Sequence, residues 1–128
     1  MSEALVIDAY AWVEYLDGSD RGMKLKNLFE ENREIQTSSV TLAEVISKAA
    51  RTGRDYKQAY AVISSNSTIV NADEEISYQA GITYAEIRKT VQDFGLADAY
   101  VLTTARKVSA KVLTGDPHFR GIKEAIMI

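Results

Sequence analysis

Short strand-like runs alternate with longer helix-like segments along the whole chain, and this alternation limits the possible folds more than any other feature. The strand-like runs are three or four residues long, whereas the segments between them carry apolar residues at helical spacing. Five strands are predicted: Leu5–Ile7, Ile35–Ser38, Thr68–Val70, Lys111–Thr114 and Ala125–Ile128. Strands joined through helices favour an α/β fold with a parallel sheet covered on both faces.

The apolar periodicity also predicts the helices between these strands. They are Ala9–Leu16, a second helix carrying Leu25, Leu28 and Phe29, Thr41–Arg51, Asp55–Ile63, Glu74–Val91 and Asp98–Val108. Ser64–Ser67 is predicted as a polar break, and Pro117 is expected to stop the sheet after the fourth strand. With 128 residues and neither a repeat nor a linker, we expect one domain over residues 1–128.

Composition excludes several kinds of site. The chain contains no Cys, which excludes disulfides, thiolate metal sites and cysteine nucleophiles and fits a reducing cytoplasm. The first apolar run ends at Asp8, so neither a signal peptide nor a membrane span is expected. The net charge of −3 argues against binding nucleic acid through bulk positive charge, but not against meeting phosphates through bound cations.

Four acidic residues fall at the ends of predicted elements. Asp8 directly follows the first strand, and Asp116 comes two residues after the fourth. Glu44 lies in the first turn of the predicted Thr41 helix, and Asp98 opens a later helix. Because the carboxyl ends of parallel strands share one edge of a sheet, and the following helices begin there, we expect the four acids to converge.

Four converging carboxylates repel one another. Two unit charges about 4 Å apart cost on the order of 1 kcal/mol in water, and several-fold more in a partly buried site. One or two hard cations, Mg²⁺ or Mn²⁺, relieve this repulsion because they prefer oxygen ligands. Such cations can support phosphodiester hydrolysis without a side-chain nucleophile.

Each acid alone also has a local structural interpretation. Thr41 and Glu44 form a capping-box pattern, and Asp98 is suited to cap a helix or to interact with its dipole. Asp116 stands in a Gly-Asp-Pro turn, where Asp commonly bonds the local backbone. Only Asp8 lacks an evident local partner. The functional interpretation therefore depends on the combination of the four acids and on their order.

The residues around these acids carry a resemblance to a known family. Leu5–Asp8, Thr41–Val45, Ala97–Val101 and Leu113–Asp116 are similar, in this order and over the whole chain, to the motif series of PIN domains. Within that family, the chain most resembles the VapC-type toxins of prokaryotic toxin–antitoxin pairs. The resemblance implies a three-layer α/β/α sandwich with a mostly parallel central sheet.

The same resemblance implies an activity and its residues. The expected activity is cytoplasmic endoribonuclease cleavage of RNA that depends on Mg²⁺ or Mn²⁺, with Asp8, Glu44, Asp98 and Asp116 as metal-binding acids. Thr114 matches a hydroxyl position that serves a carboxylate or a metal-bound water. The resemblance further implies a homodimer and a small antitoxin protein that covers the site. Ala9 and Tyr10 depart from the family, which often has a small hydroxyl residue or Asn directly after the first acid.

Other residues leave alternatives open. His118 is interpreted as a surface or packing residue, with contact to RNA as the alternative. Asp93 is interpreted as a surface residue at a helix end, with a further acidic contribution to the site as the alternative. Tyr10 is open between packing and stacking on a base. The basic residues after Glu44 are interpreted as a solvated face, with contact to phosphates or to an acidic antitoxin segment as the alternative. These residues are Lys48, Arg51, Arg54 and Lys57.

Two other functions fit an α/β fold with acids at strand ends. A phosphoacceptor signalling domain requires paired acids after the first strand and a late Lys, whereas here Asp8 stands alone and Asp116 occupies the late position. A non-catalytic PIN-like module that binds a protein partner is the second alternative. The presence of all four acids argues against it.

Overall fold

The computed structural model describes residues 4–128 and contains a sheet in which all paired strands run parallel. The strands are β1 (Leu5–Ile7), β2 (Ile35–Ser38), β3 (Thr68–Val70), β4 (Lys111–Thr114) and β5 (Ala125–Met127). They are hydrogen-bonded in the order β3-β2-β1-β4-β5, which places β1 at the centre. The predicted strands are confirmed, the fifth ending one residue earlier than expected.

Helices connect most of the strands. They are α1 (Ala9–Asp17), α2 (Asp20–Phe29), α3 (Ser39–Arg51), α4 (Tyr56–Asn66), α5 (Glu74–Ile87) and α6 (Leu96–Lys107). A short 3₁₀ helix, Pro117–Phe119, follows β4, with Pro117 at its first position. Within residues 4–128, no helix has both the length and the apolar character needed to cross a bilayer.

Two hydrophobic cores lie on opposite faces of the sheet, because alternate side chains of a strand point to opposite sides. Val6 of β1 belongs to the core that contains Leu102 of α6. Leu5 and Ile7 belong to the other core, which contains Trp12 of α1. Helices α5 and α6 therefore cover one face and α1 to α4 the other, so the predicted three-layer α/β/α sandwich is confirmed.

The start of α3 differs from the prediction. Ser38 is the N-cap, and its hydroxyl accepts a hydrogen bond from the Val40 N–H, so the helix begins at Ser39 rather than at Thr41. Glu44 consequently lies in the second turn, too far along the helix to bond the cap. The capping-box interpretation of Thr41 and Glu44 is wrong, and the Glu44 side chain is available for another role.

Three further helix boundaries differ by two or more residues. Residues 64–66 continue α4 instead of forming a break, because Ser65 and Asn66 bond backbone carbonyls four residues earlier. Helix α5 ends at Ile87, four residues before the predicted Val91. Helix α6 begins at Leu96, which makes Asp98 its third residue and not the residue that opens it.

Candidate functional site

The first predicted acid, Asp8, is held at the carboxyl end of the central strand. Its backbone N–H bonds the carbonyl of Leu113 on the neighbouring strand at 3.2 Å, and its side chain is only 3% exposed. One carboxylate oxygen accepts the N–H of Ala11 at 2.9 Å and thereby caps α1. The sequence interpretation that Asp8 lacks a local partner is therefore wrong. Helix capping alone, however, does not require so complete a burial.

The hydroxyl of Thr114 joins two of the acids. It donates to the second carboxylate oxygen of Asp8 at 2.5 Å, and it accepts the backbone N–H of Asp116 at 2.9 Å. Thr114 is fully buried. Because Asp8 and Asp116 are 108 positions apart in sequence, this one side chain fixes the relation between the ends of β1 and β4.

Asp98 approaches the same place from α6. Its carboxylate accepts the N–H of Gly95 at 2.9 Å, which orients the side chain at the N-terminal end of the helix. Asp98 and Asp116 each lie next to the imidazole of His118, with O···Nδ1 distances of 4.0 and 3.1 Å. Asp98 and Asp116 therefore lie close together, as the sequence predicted.

Glu44 faces the cluster from α3. Burial raises the pKa of its carboxyl group, and the negative charges of Asp98 and Asp116 raise it further. Its position agrees with this, because Glu44 lines the same cleft as Tyr10, whose ring lies against Gly115 next to Asp116. All four acids are thus brought to one edge of the sheet, while their roles stay predictions.

The negative charges of the acid cluster are not fully compensated by their surroundings. Burial raises the pKa of Asp8 to about 7, against opposing hydrogen bonds from Thr114 and Ala11, and the nearby charges of Asp116 and Asp98 add to the rise. Burial also raises the pKa of Asp98, and the charge of Asp116 contributes. A carboxyl group with a raised pKa marks a site where negative charge lacks sufficient compensation.

The donor set fits a hard divalent cation. Asp98, Asp116 and His118 each offer one ligand atom, and these atoms lie within 4.8 Å of one another. Asp8 and Glu44 add carboxylate groups within electrostatic range. A set dominated by carboxylate oxygens matches the preference of Mg²⁺ and Mn²⁺, and a bound cation would supply the positive charge that the cluster needs.

His118 is the residue whose position the sequence interpretation missed. It lies at the surface as expected, with 37% of its side chain exposed, but it belongs to the acid cluster. The 3₁₀ helix that begins at Pro117 turns the chain so that Asp116 accepts the backbone N–H of His118 and also contacts its ring. The Asp-Pro-His order was the available signal, since Asp before Pro favours such a turn.

Two further residues whose roles the sequence left open are Tyr10, which lies at the site, and Asp93, which lies at the surface. The Tyr10 ring lies against Gly115, so closely that a Cβ at Gly115 would come within 2.4 Å of ring atom Cε1. The Tyr10 hydroxyl accepts a hydrogen bond from Arg21 at 2.8 Å. Asp93 is exposed between α5 and α6 and takes no part in the hydrogen bonds of the cluster.

A cleft of about 730 Å³ adjoins the cluster between α1 and α3. Tyr10 and Glu44 line the end nearest the acids, whereas Lys48 and Arg51 line the cleft further along α3. Arg54, from the same basic stretch, forms an ion pair with Asp17. The cleft therefore leads from the acid cluster to two basic side chains on α3 and to the acids Glu14 and Asp17 on α1.

Comparisons with known proteins agree with the fold. The sequence model of the PIN domain family matches residues 5–125. No curated protein sequence matches the chain.

Solved structures share the architecture at low sequence identity. A chain of VapBC2 from Rickettsia felis, bound to a DNA fragment from their promoter, superposes with a TM-score of 0.77 and 17% identity over 98% of this chain and 97% of that one. VapC20 from Mycobacterium tuberculosis, a sarcin-ricin loop cleaving toxin, superposes with a TM-score of 0.75 and 18% identity, over 93% of this chain and 95% of that one. A chain of DNA-bound VapBC from Salmonella typhimurium superposes with a TM-score of 0.72 and 19% identity, over 99% of this chain and 98% of that one.

Proposed function

The chain belongs to the PIN domain family, and on this premise we propose that it is a metal-dependent endoribonuclease, the toxin of a VapBC-type toxin–antitoxin pair. The observation that carries the proposal is the convergence of Asp8, Asp98 and Asp116 beside Thr114, with Glu44 facing them. The proposed substrate is an RNA phosphodiester, and the proposed location is the cytoplasm.

We assign the cation, Mg²⁺ or Mn²⁺, to the four acids. Asp98 and Asp116 present their oxygens close together, and Asp8 and Glu44 complete the negative field. The bound cation would supply Lewis acidity and an activated water at neutral pH. His118 is a further candidate ligand, although its Nδ1 already lies 3.1 Å from a carboxylate oxygen of Asp116.

The chain's own residues keep the carboxylates in position. Thr114 and the N–H of Ala11 each hold one oxygen of Asp8, and the N–H of Gly95 holds Asp98. These bonds are already formed in the free protein, so little side-chain ordering is left for the moment of substrate binding. The buried position of Asp8 also excludes water from one side of the cluster.

The experiment that tests the proposal is RNA cleavage by the purified protein with Mn²⁺, with and without chelator. Asp98→Asn should abolish cleavage, because it removes a charged ligand while preserving shape. Asp93→Asn is the matched control, since it removes the same charge from an exposed position just before α6 and outside the cluster. Equal cleavage by wild type and Asp98→Asn would refute the proposal. Absence of cleavage by wild type, with retained binding of a protein partner, would favour the non-catalytic interaction module.

We propose that the antitoxin covers the cleft between α1 and α3. The cleft is lined by apolar side chains such as Val13 and Val40, and an amphipathic segment could lay its apolar face on them. Lys48 and Arg51 on α3 would then pair with acidic side chains of that segment, whereas Glu14 and Asp17 on α1 would meet basic ones. Solved neighbours that are VapBC complexes support a partner of this kind. Val40→Glu should abolish inhibition by the protein encoded in the adjacent reading frame while RNA cleavage persists; unchanged inhibition would place the antitoxin elsewhere.

We also propose a homodimer. Tyr78 and Ile82 of α5 are 69% and 42% exposed and lie one helical turn apart, which leaves an apolar stripe on the outer face of the helix. Light scattering should report twice the chain mass for wild type and the monomer mass for Tyr78→Asp. A wild-type monomer would refute this part of the proposal.

A further inference from the structure

Arg21 is the feature of the site that metal binding does not explain. This residue is the second of α2, it is exposed, and its guanidinium Nη1 donates to the Tyr10 hydroxyl at 2.8 Å. Among residues 4–128, Arg21 forms no ion pair with a carboxylate. Most of its five N–H donors are therefore free for a ligand.

Tyr10 places this guanidinium beside the acid cluster. The phenol ring rests on Gly115, which stands between Thr114 and Asp116, and the absence of a Cβ at Gly115 permits this close approach. The ring is therefore held against the backbone that carries the last acid, and its hydroxyl extends from there to Arg21. A long side chain that is tethered at its tip loses less conformational freedom when it binds a ligand.

The acid cluster itself creates the need for such a group. The carboxylates repel a polyanion, and the chain as a whole carries a net charge of −3. A guanidinium matches the geometry of two phosphate oxygens with two N–H donors, and it keeps its charge at any working pH. A single fixed cation at the rim therefore attracts the backbone of the substrate without competing for the metal ligands.

We infer that Arg21, held by Tyr10, binds an RNA phosphate adjacent to the one that is cleaved. The inference rests on the proposed ribonuclease function and names a contact that sets the position of the strand over the acids. Because the contacted phosphate keeps its charge throughout the reaction, Arg21 binds the ground state and the transition state alike. Its loss is expected to raise KM and leave kcat nearly unchanged.

The test compares Arg21→Gln with Lys24→Gln, which removes the same charge from an exposed position one turn later on α2. Cleavage of a single-stranded RNA in Mn²⁺ should show a KM raised about tenfold for Arg21→Gln, with kcat close to wild type, and no change for Lys24→Gln. Tyr10→Phe keeps the ring on Gly115 but releases the guanidinium, and it should raise KM by a smaller factor. Arg21→Lys keeps the charge and should fall between wild type and Arg21→Gln.

A second readout separates a phosphate contact from a structural role. Binding of the same RNA to the Asp98→Asn protein is measured over a range of salt concentrations. The logarithm of the binding constant falls with the logarithm of the salt concentration, and the loss of one phosphate contact makes this slope less steep by about 0.7 for a single strand. Unchanged KM and slope in Arg21→Gln, in a protein whose wild type cleaves RNA, would overturn the inference alone. Failure of wild type to cleave or bind RNA would refute the ribonuclease proposal and the inference together.

Discussion

The hydroxyl of Thr114 donates to the Asp8 carboxylate at 2.5 Å and accepts the backbone N–H of Asp116 at 2.9 Å. The bond to Asp8 is buried and the bond to Asp116 is partly buried. Away from water, a hydrogen bond to a charged group is strong and an unpaired polar group is costly. The two acids at the ends of β1 and β4 are therefore oriented by a residue that is not itself charged.

The first prediction concerns Thr114→Val, which keeps the shape of the side chain and removes the hydroxyl. Asp8 then loses the donor that favours its charged form, and the Asp116 N–H loses its acceptor. We expect Mn²⁺ affinity to fall by about 10- to 100-fold, the usual cost of losing a residue that orients a metal ligand. Isothermal titration with Mn²⁺ measures this. Thr114→Ser restores the hydroxyl and should bind nearly as wild type does, whereas equal affinity of Thr114→Val and wild type would contradict the assigned role.

The second prediction concerns stability in the absence of metal. Burial raises the pKa of Asp8 from 3.8 to about 7, so the folded chain holds this proton more tightly than the unfolded chain. Its contribution to stability is complete below about pH 4 and is lost as the pH rises through about 7. The rise corresponds to at most about 4 kcal/mol in the free energy of unfolding.

Urea unfolding in EDTA at pH 5 and pH 7.5 checks this second prediction. Wild type should be less stable at pH 7.5, and Asp8→Asn should lose much of the difference because it cannot ionise. Glu44 and Asp98 act in the same direction, so some dependence on pH is expected to persist. Added Mn²⁺ at pH 7.5 should raise the melting temperature of wild type, since a cation that binds only the folded site stabilises it. Equal stability of wild type at both pH values would contradict the prediction.

Much of the fold was predictable because its strongest signals are local. The strands β1 and β4 are short, apolar and ended by polar residues, and the segments between strands keep helical periodicity. Their parallel arrangement follows from the helices that join them. That arrangement alone put Asp8 and Asp116 at the same edge of the sheet, and the pairing of β1 with β4 in the structure brings them together.

The parts that were not predictable depend on competing caps and on tertiary geometry. Thr37, Ser38 and Ser39 are all good capping residues, so periodicity could not fix the start of α3. The polar end of α4 resembles a break, but its Ser and Asn side chains satisfy the helix's own carbonyls. The place of His118 depends on the 3₁₀ turn after Asp116. The Asp-Pro pair favours a turn there, but no sequence pattern encodes the direction in which the turn carries the His118 ring.

The third prediction concerns the aromatic pair behind the cluster. The rings of Phe94 and Phe119 are fully buried and lie 5.6 Å apart at an angle of 64°. Phe94 directly precedes the glycine that binds Asp98, and Phe119 directly follows His118. Phe119→Ala should lower the free energy of unfolding by about 3–5 kcal/mol. Phe119→Leu should cost less and should also weaken Mn²⁺ binding, because the two segments lose their shared contact.

Phe29→Leu is the matched control for the third prediction. Phe29 packs against Trp12 and Tyr15 in the other core, away from the acids. It should lower the free energy of unfolding while leaving Mn²⁺ affinity unchanged. Unchanged Mn²⁺ affinity in Phe119→Leu as well would show that the pair supports the fold without positioning the acids.

The fourth prediction concerns the close approach of Tyr10 to Gly115. A Cβ added at Gly115 would lie 2.4 Å from Cε1 of the Tyr10 ring, so the ring has to move in Gly115→Ala. We expect a loss of about 1–3 kcal/mol in the free energy of unfolding, the usual cost of overpacking. Gly81→Ala is the control, because Gly81 lies within α5 with open space at its Cβ position. There the substitution should be neutral or stabilising, since Ala restricts the unfolded chain more than Gly does.

A double-mutant cycle separates steric overlap from a general effect of Gly115→Ala. Tyr10→Ala removes the ring that the new methyl group would meet, so the double variant should be less destabilised than the sum of the single variants. Coupling energies between residues in contact are typically about 0.5–3 kcal/mol. Additive effects would mean that the methyl group finds space elsewhere and that Gly115 is not needed for the approach of Tyr10.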